Sequence, residues 1–454
     1  MSKRMICGAF VLVCSVTASA QPRVDLALIN GTVITVDAGN SIAQAVAIGG
    51  GKVVAVGTTA EIKARAGRGG RVIDLAGKTV IPALISTHGH PGFQRGLTYE
   101  ASNFTRETVM NDLNRALYFG FSVVQSQGIE SGEVMYQIRA DQAAGTLGGA
   151  RLLVAGRGIG APNAGPGGPT YAGIAYEITT EAEARRAVEE LAAKKVDIVK
   201  IWVDDRNGRA PRLSPALYRA VIDEGHKRGL RVNAHVFYHV DAVDLVEAGI
   251  DGLVHMVRDL EMSDALIAAI VKRGVYVNGN MSSPRRATHV GNPPWLTPAD
   301  PMLRLLKESV APEVIARMEA AFGKRDPKAA GGARQRYAIL ERSLAKLSAA
   351  GAKVVLGADT GLEDHLFGLA EHLELQAMAD AGMTPAQALV TATSRAAEYL
   401  HLADRGSLAP GKRADFLVLD ANPLENIVNA RKIGRMFING VEIDRPALRA
   451  QIKY

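Results

Sequence analysis

The sequence predicts an α/β fold: a (β/α)8 barrel of the TIM type, with a small β domain assembled from both chain ends. Three observations predict it. Eight apolar strand-like runs lie between residues 79 and 358, separated mostly by helical segments, and repeated βα units build parallel sheets. Short alternating segments punctuated by glycine stand at both termini. The length of 454 residues suits one large domain with a smaller companion rather than three modules. Periodicity alone leaves a doubly wound open sheet as the alternative.

In chain order, the first β segments are Asp25 to Val36, Ala45 to Val56 and Arg71 to Val80, with turns at Gly31 and Gly49-Gly50-Gly51. The eight central strands are predicted at Thr79 to Thr87, Gly120 to Gln125, Arg151 to Ala155, Val196 to Val203, Leu230 to Ala234, Gly252 to His255, Val275 to Asn278 and Val354 to Ala358. Helix starts between them are marked. Thr180 and Glu183 form a capping box, in which each side chain satisfies an orphan backbone amide. Ser214-Pro215 and Thr384-Pro385 put an N-cap residue before a proline at the first helical position. Two connections, 156–175 and 281–334, are unusually long and would emerge at the C-terminal face, where loops build substrate sites. Strands return at Gly406 to Leu408, Ala414 to Asp420 and Gly434 to Val441.

The first twenty residues read as a secretory signal. Lys3 and Arg4 precede the apolar run Ile6 to Val16, and Ala18-Ser19-Ala20 offers a cleavage site before Gln21. A periplasmic or secreted mature protein is expected, with no membrane attachment after cleavage, since the apolar run is too short to span a bilayer. Both cysteines, Cys7 and Cys14, fall inside that segment, so the mature chain would hold no disulfide, no Cys-metal site and no Cys nucleophile. Basic residues number 53 against 46 acidic ones, but they are scattered without a run of five, which argues against nucleic-acid binding. A homo-oligomer is allowed, although no exposed face identifies one.

Chemistry concentrates in a few histidines. His88-Gly89-His90 ends the first central strand, and on an extended chain both imidazoles point to one side because side chains alternate. Two neutral imidazoles converging on one point suit a divalent transition metal such as zinc. His235 ends the fifth strand, His255 the sixth, and Asp359 the eighth. Four such histidines and an aspartate at one rim are hard to explain by packing. Lys200 lies in the apolar run Val196 to Val203, where a bare ammonium would be costly. It reaches the rim, or pairs with Asp204 or Asp205, or reacts as a neutral amine with CO2 to give an anionic carbamate able to bridge two metals. Tyr238, His239 and Arg258 are candidates to face a substrate, whereas His226, His365, His372 and His401 read as structural. The Gly-rich stretch Pro162 to Pro169 lacks the context of a phosphate loop.

Taken together, the run Val80 to His90, Lys200, His235, Asp251-Gly252-Leu253-Val254-His255, Asp359 and the closing stretch Gly411 to Asp420 resemble the amidohydrolase superfamily over nearly the whole mature chain. The resemblance is to its binuclear branch, and within that to the dipeptidase and prolidase-like subgroup. It implies that His88, His90 and Asp359 hold one divalent metal and His235 and His255 a second, with a carboxylated Lys200 bridging both. It further implies a β-sandwich at residues 21–81 and 405–454 around a barrel at 82–404. The expected activity is hydrolysis of amide bonds in small substrates such as dipeptides or N-acyl amino acids. A metal-bridging hydroxide would attack, and Asp359 would act as acid and base. A lactonase or esterase on the same metals, a non-catalytic metal-binding protein, and a non-hydrolytic isomerase or decarboxylase are the competing readings. Two motifs depart from the family pattern. Ala83 and Ser86 stand where the barrel-entry motif has Gly and Asp, and Ser122 to Ser126 replaces the usual Thr-Thr-Val-Arg-Asp.

Overall fold

The computed structural model describes residues 23–453, apart from 68, 131, 167–170, 172 and 363. The expected signal segment with Cys7 and Cys14, and part of the Gly-rich stretch 162–169, lie outside the described residues.

Both chain ends meet in β structure. Leu26–Ile29, Ala45–Gly49, Lys52–Gly57 and Arg71–Asp74 form a four-stranded sheet, in which Ala45–Gly49 and Lys52–Gly57 are a hairpin turned at Gly50 and Gly51, both at positive φ. A six-stranded sheet mixes the termini. Its order runs Val441–Glu442, Ile433–Ile438, Phe416–Leu419, Thr79–Pro82, Thr32–Ile34 and Ile42–Ala43. One apolar cluster includes Leu28, Val46 and Ile73 of the first sheet and Val33, Val80, Phe416 and Phe437 of the second.

Several expected strands divide. Asp25 to Val36 breaks at the Asn30-Gly31 turn, where Asn30 has positive φ, and Arg71 to Val80 breaks at Ala76-Gly77, both at positive φ. The run Thr79 to Thr87 is two strands, Thr79–Pro82 in the six-stranded sheet and Leu84–Gly89 in the next one. Every residue of both is buried, so no in–out alternation marks the point where the chain changes sheet.

The central region holds strands Leu84–Gly89, Phe121–Ser126, Arg151–Leu153, Val199–Val203, Val232–Val236, Gly252–Leu253, Tyr276–Asn278 and Lys353–Val355, and all of their ladders are parallel. They fall in two ladders, one of three strands and one of seven that also takes in Ile159–Gly160 and Tyr176–Glu177. At one junction Asp197 N donates to Val154 O (2.8 Å). At the other Thr87 N donates to Leu356 O (3.0 Å), and Gly89 bridges to Thr360. Helices alternate with these strands. The Thr180/Glu183 capping box and the Thr384 cap before Pro385 form as expected, the latter with Gln387 completing a second box, while Ser214 precedes Pro215 without a side-chain cap bond.

The long connection 281–334 is mostly helical, with Ser282–Arg286, Pro301–Ser309, Pro312–Gly323 and the start of Pro327–Ala349. Asp300-Pro301 and Asp326-Pro327 cap two of these helices by the same device read elsewhere in the sequence. Among the described residues, no helix is long and apolar enough to cross a membrane.

Candidate metal centre

Parallel strands point their C-terminal ends to one side, so the residues that close them share a rim. His88 lies in Leu84–Gly89 and is fully buried; His90 follows at once. Their rings stand edge to face, 5.1 Å apart. Asp359 Oδ1 lies 2.9 Å from His90 Nε2 and 3.2 Å from His88 Nε2. Asp359 has φ 56°, a left-handed conformation that L residues adopt only when their surroundings hold it. Here the backbone zips it in place, for His90 N donates to Thr360 O (2.7 Å) and Thr360 N to His88 O (3.3 Å). His365 Nε2 also lies 2.9 Å from Ala358 O, which gives that buried histidine its structural role. His372, likewise structural, meets Phe119 O at 2.9 Å.

His255 follows Gly252–Leu253, with its ring 5.2 Å from His88 and 4.5 Å from His235. Its Nδ1 faces Asn280, which leaves Nε2 for the centre. Ligand atoms of His88, His255 and Asp359 lie within 4.8 Å of one another. Lys200, in Val199–Val203, is buried, and its Nζ is 5.7 Å from the Trp202 ring centre. It forms no ion pair among the described residues. Both partners considered from the sequence are engaged elsewhere, Asp204 with His235 Nε2 (2.9 Å) and Asp205 with the Tyr238 hydroxyl (2.8 Å).

Burial sets the charges. It holds His88 at about 4 and His235 at about 3, and His255 well below its ordinary value, so these imidazoles are neutral, the form that binds a cation. Burial also pushes Lys200 down to about 7; Asp359 opposes this and Arg206 adds to it. For Asp359, burial favours the neutral acid, but His88 and His90 outweigh it and hold the carboxylate well below its usual range.

The residues fit a divalent metal. His88 Nδ1 and Nε2 and His90 Nδ1 are buried without hydrogen-bond partners; His88 Nε2 is near Asp359 yet out of line for a bond. Buried ring nitrogens crowded round one carboxylate and left without partners are costly unless a cation joins them.

All six side chains named from the sequence line one cavity of about 360 Å3, as does Arg258. Tyr238 and His239 do not line it. Tyr238 bonds to Asp205, and His239 Nε2 lies 3.0 Å from Ser263 Oγ, because the helix His239–Glu247 begins here and turns both away. Trp202, Asp204 and Arg206 also wall the cavity and were not singled out for it in the sequence, although Trp202 lies in the fourth central strand and the other two just beyond its end.

The profile of the Amidohydrolase family matches residues 79–443. The chain belongs to the amidohydrolase family. Curated relatives share shorter stretches. An N-substituted formamide deformylase of Arthrobacter pascens is 48% identical over 66 residues, 14% of this chain and 12% of that protein. An imidazolonepropionase of Deinococcus deserti is 40% identical over 77 residues, 17% and 19% of the two chains. The chain thus aligns with only a minor part of these relatives' lengths. Among solved structures, a putative prolidase from Bifidobacterium longum superposes with a TM-score of 0.73 at 24% identity, covering 95% of this chain and 99% of that one. A Xaa-Pro dipeptidase gives 0.72 at 19% identity over 92% and 99%. Molinate hydrolase gives 0.72 at 22% over 95% and 98%.

In this amidohydrolase, Gly357 lies two residues before Asp359 because no side chain fits there. A Cβ would stand 1.6 Å from Asn278 Oδ1 and 2.8 Å from His88 Cβ. Gly357→Ala is expected to cost about 3 kcal/mol through overpacking and to lower Tm by roughly 3–4 °C. A melting curve unchanged from wild type would show that the strand yields at no cost.

Proposed function

We propose that this amidohydrolase is a metal-dependent hydrolase cleaving the C–N bond of small amides, such as dipeptides or N-acyl amino acids. One observation carries the reading: four buried imidazoles, a carboxylate and a buried lysine without an ion pair among the described residues, from five separate chain segments, line a single small cavity. The deformylase match and the likeness to a Xaa-Pro dipeptidase support it. The same reading takes the two parallel ladders as one closed (β/α)8 barrel over residues 82–404, with the terminal sheets as a β-sandwich of 21–81 and 405–454.

His88, His90 and Asp359 would hold one divalent ion, His235 and His255 a second, and Lys200, carboxylated on Nζ, would lie between them; zinc suits this donor set. Such ions supply Lewis acidity and a water with a pKa near ~7, against 15.7 in bulk. Asp359 is poised to move the proton. As a carboxylate it accepts the proton of the attacking water, and it then delivers that proton to the departing amine nitrogen, which leaves poorly as an anion. The buried walls keep bulk water from competing for that proton.

The test is turnover of matched amides and esters, with metal measured by elemental analysis. Amide cleavage that disappears on chelation and returns with zinc is the expected result. Cleavage of esters alone would transfer the site to the lactonase or esterase reading, and bound metal without turnover would make it a binding protein.

A further inference from the structure

Three arginines line the cavity, and two of them are already used. Arg206 reaches Asp204 Oδ2 (3.3 Å) and Gly165 O, and Arg209 Nε donates to Arg206 O (2.9 Å). Arg258 differs. Its backbone is fixed by a bond from its N to Phe237 O (2.9 Å), and its guanidinium carbon rests 5.1 Å from the Phe237 ring centre. Among the described residues its side chain makes no hydrogen bond and no ion pair, and its Nε is buried without a partner. The cavity's carboxylates are committed to histidines, Asp359 to His88 and His90 and Asp204 to His235.

A half-buried guanidinium with its Nε enclosed and no counter-ion carries a desolvation cost that an anionic ligand would offset. Asp359 and Asp204 stabilise the cation only from a distance, while burial and Arg206 oppose it. Any cations held by the histidines would add positive charge to the same space and raise the demand for an anion. The planar fork of donors matches a carboxylate in a two-bond arrangement, and the Phe237 face keeps the fork from swinging away.

From this geometry we infer that Arg258 clamps a free carboxylate on the substrate, so that the enzyme selects anionic amides over neutral ones of the same shape. The inference rests on the amide-hydrolase reading for its substrates, but not for its binding test. The cavity volume, about 360 Å3, is near the lower end of small-molecule sites and suits an N-acyl amino acid.

The experiment uses the metal-loaded full enzyme and N-acetyl derivatives of glycine, leucine and phenylalanine, each as free acid and as carboxamide. The acetamide bond is the same within each pair. Wild type is expected to favour the best acid by roughly 30-fold or more in kcat/KM, mostly through KM. Arg258→Gln should bring the acid-to-amide ratio within about threefold, and Arg258→Lys should fall between, since a point charge lacks the fork. Equal use of acid and amide by wild type, or a preference that survives in Arg258→Gln, overturns the clamp and leaves amide hydrolysis standing. Titration calorimetry with the same acids decides the clamp should none be cleaved. Tighter binding of an acid than of its amide, lost in Arg258→Gln, supports it even where hydrolysis fails. No binding of any acid overturns it. Should Arg258→Gln not fold, the acid-to-amide comparison on wild type still decides.

Discussion

Asparagine in place of Asp359 is expected to lower kcat for amide cleavage by roughly 10^3-fold, within the range that positioned proton transfer contributes. The change is nearly isosteric, so packing around the rim survives and the loss reports chemistry. Asp359 Oδ1 is close to both His88 and His90, so it stands where a proton and a cation would both be handled. A carboxamide can do neither as well: it does not cycle a proton, and it is a weaker ligand for a divalent ion. Measured together, kcat and metal content separate the two roles. Full metal content with a thousandfold slower amide cleavage assigns the proton role, whereas a parallel fall of metal and rate makes Asp359 chiefly a ligand. An asparagine variant within about tenfold of wild type would remove Asp359 from the mechanism.

Lys200→Ala should be the second severe change, with bound metal falling from about two per chain and kcat falling by roughly 10^3-fold or more. The side chain is buried, makes no ion pair among the described residues, and is held near neutrality by burial, all of which suit an amine that adds CO2 at Nζ and loses a proton. An unpaired ammonium there would be hard to justify on stability grounds alone. Labelling with 13C bicarbonate should give a carbamate resonance in wild type that is absent from the variant. Acetate or formate, small enough for the vacated space, should restore part of the activity. Metal content unchanged by the substitution, with no carbamate signal, would make Lys200 structural and place the protein in another branch of the family.

Much of the cavity was legible because the side chains that line it close strands. His88, His90, His235, His255 and Asp359 each follow an apolar run, and parallel topology carries such positions to one rim whatever the loop lengths. Lys200 was legible for the opposite reason, as a charge inside such a run. The division of Thr79 to Thr87 was not legible, since strands buried on both faces carry no alternation to show which sheet they join. The helices within 281–334 were read from the sequence only as a long connection, although Asp300-Pro301 and Asp326-Pro327 carry the same cap-and-proline pattern as Thr384-Pro385.

The substrate wall depended on the third dimension. Tyr238, His239 and Arg258 stood on equal terms as neighbours of ligands, and only the start of the helix at His239 turned the first two toward Asp205 and Ser263. Arg206 and Arg258 come from different βα units, and which of them finds an internal partner is a matter of a few ångströms between loops. The sequence by itself therefore determined the α/β class of the fold and which strand-end side chains share one cavity, because both follow from periodicity and strand ends, which are local properties. The tertiary structure alone decided which charges are satisfied and which stay open to a ligand, because pairing depends on distances between segments that no local pattern encodes.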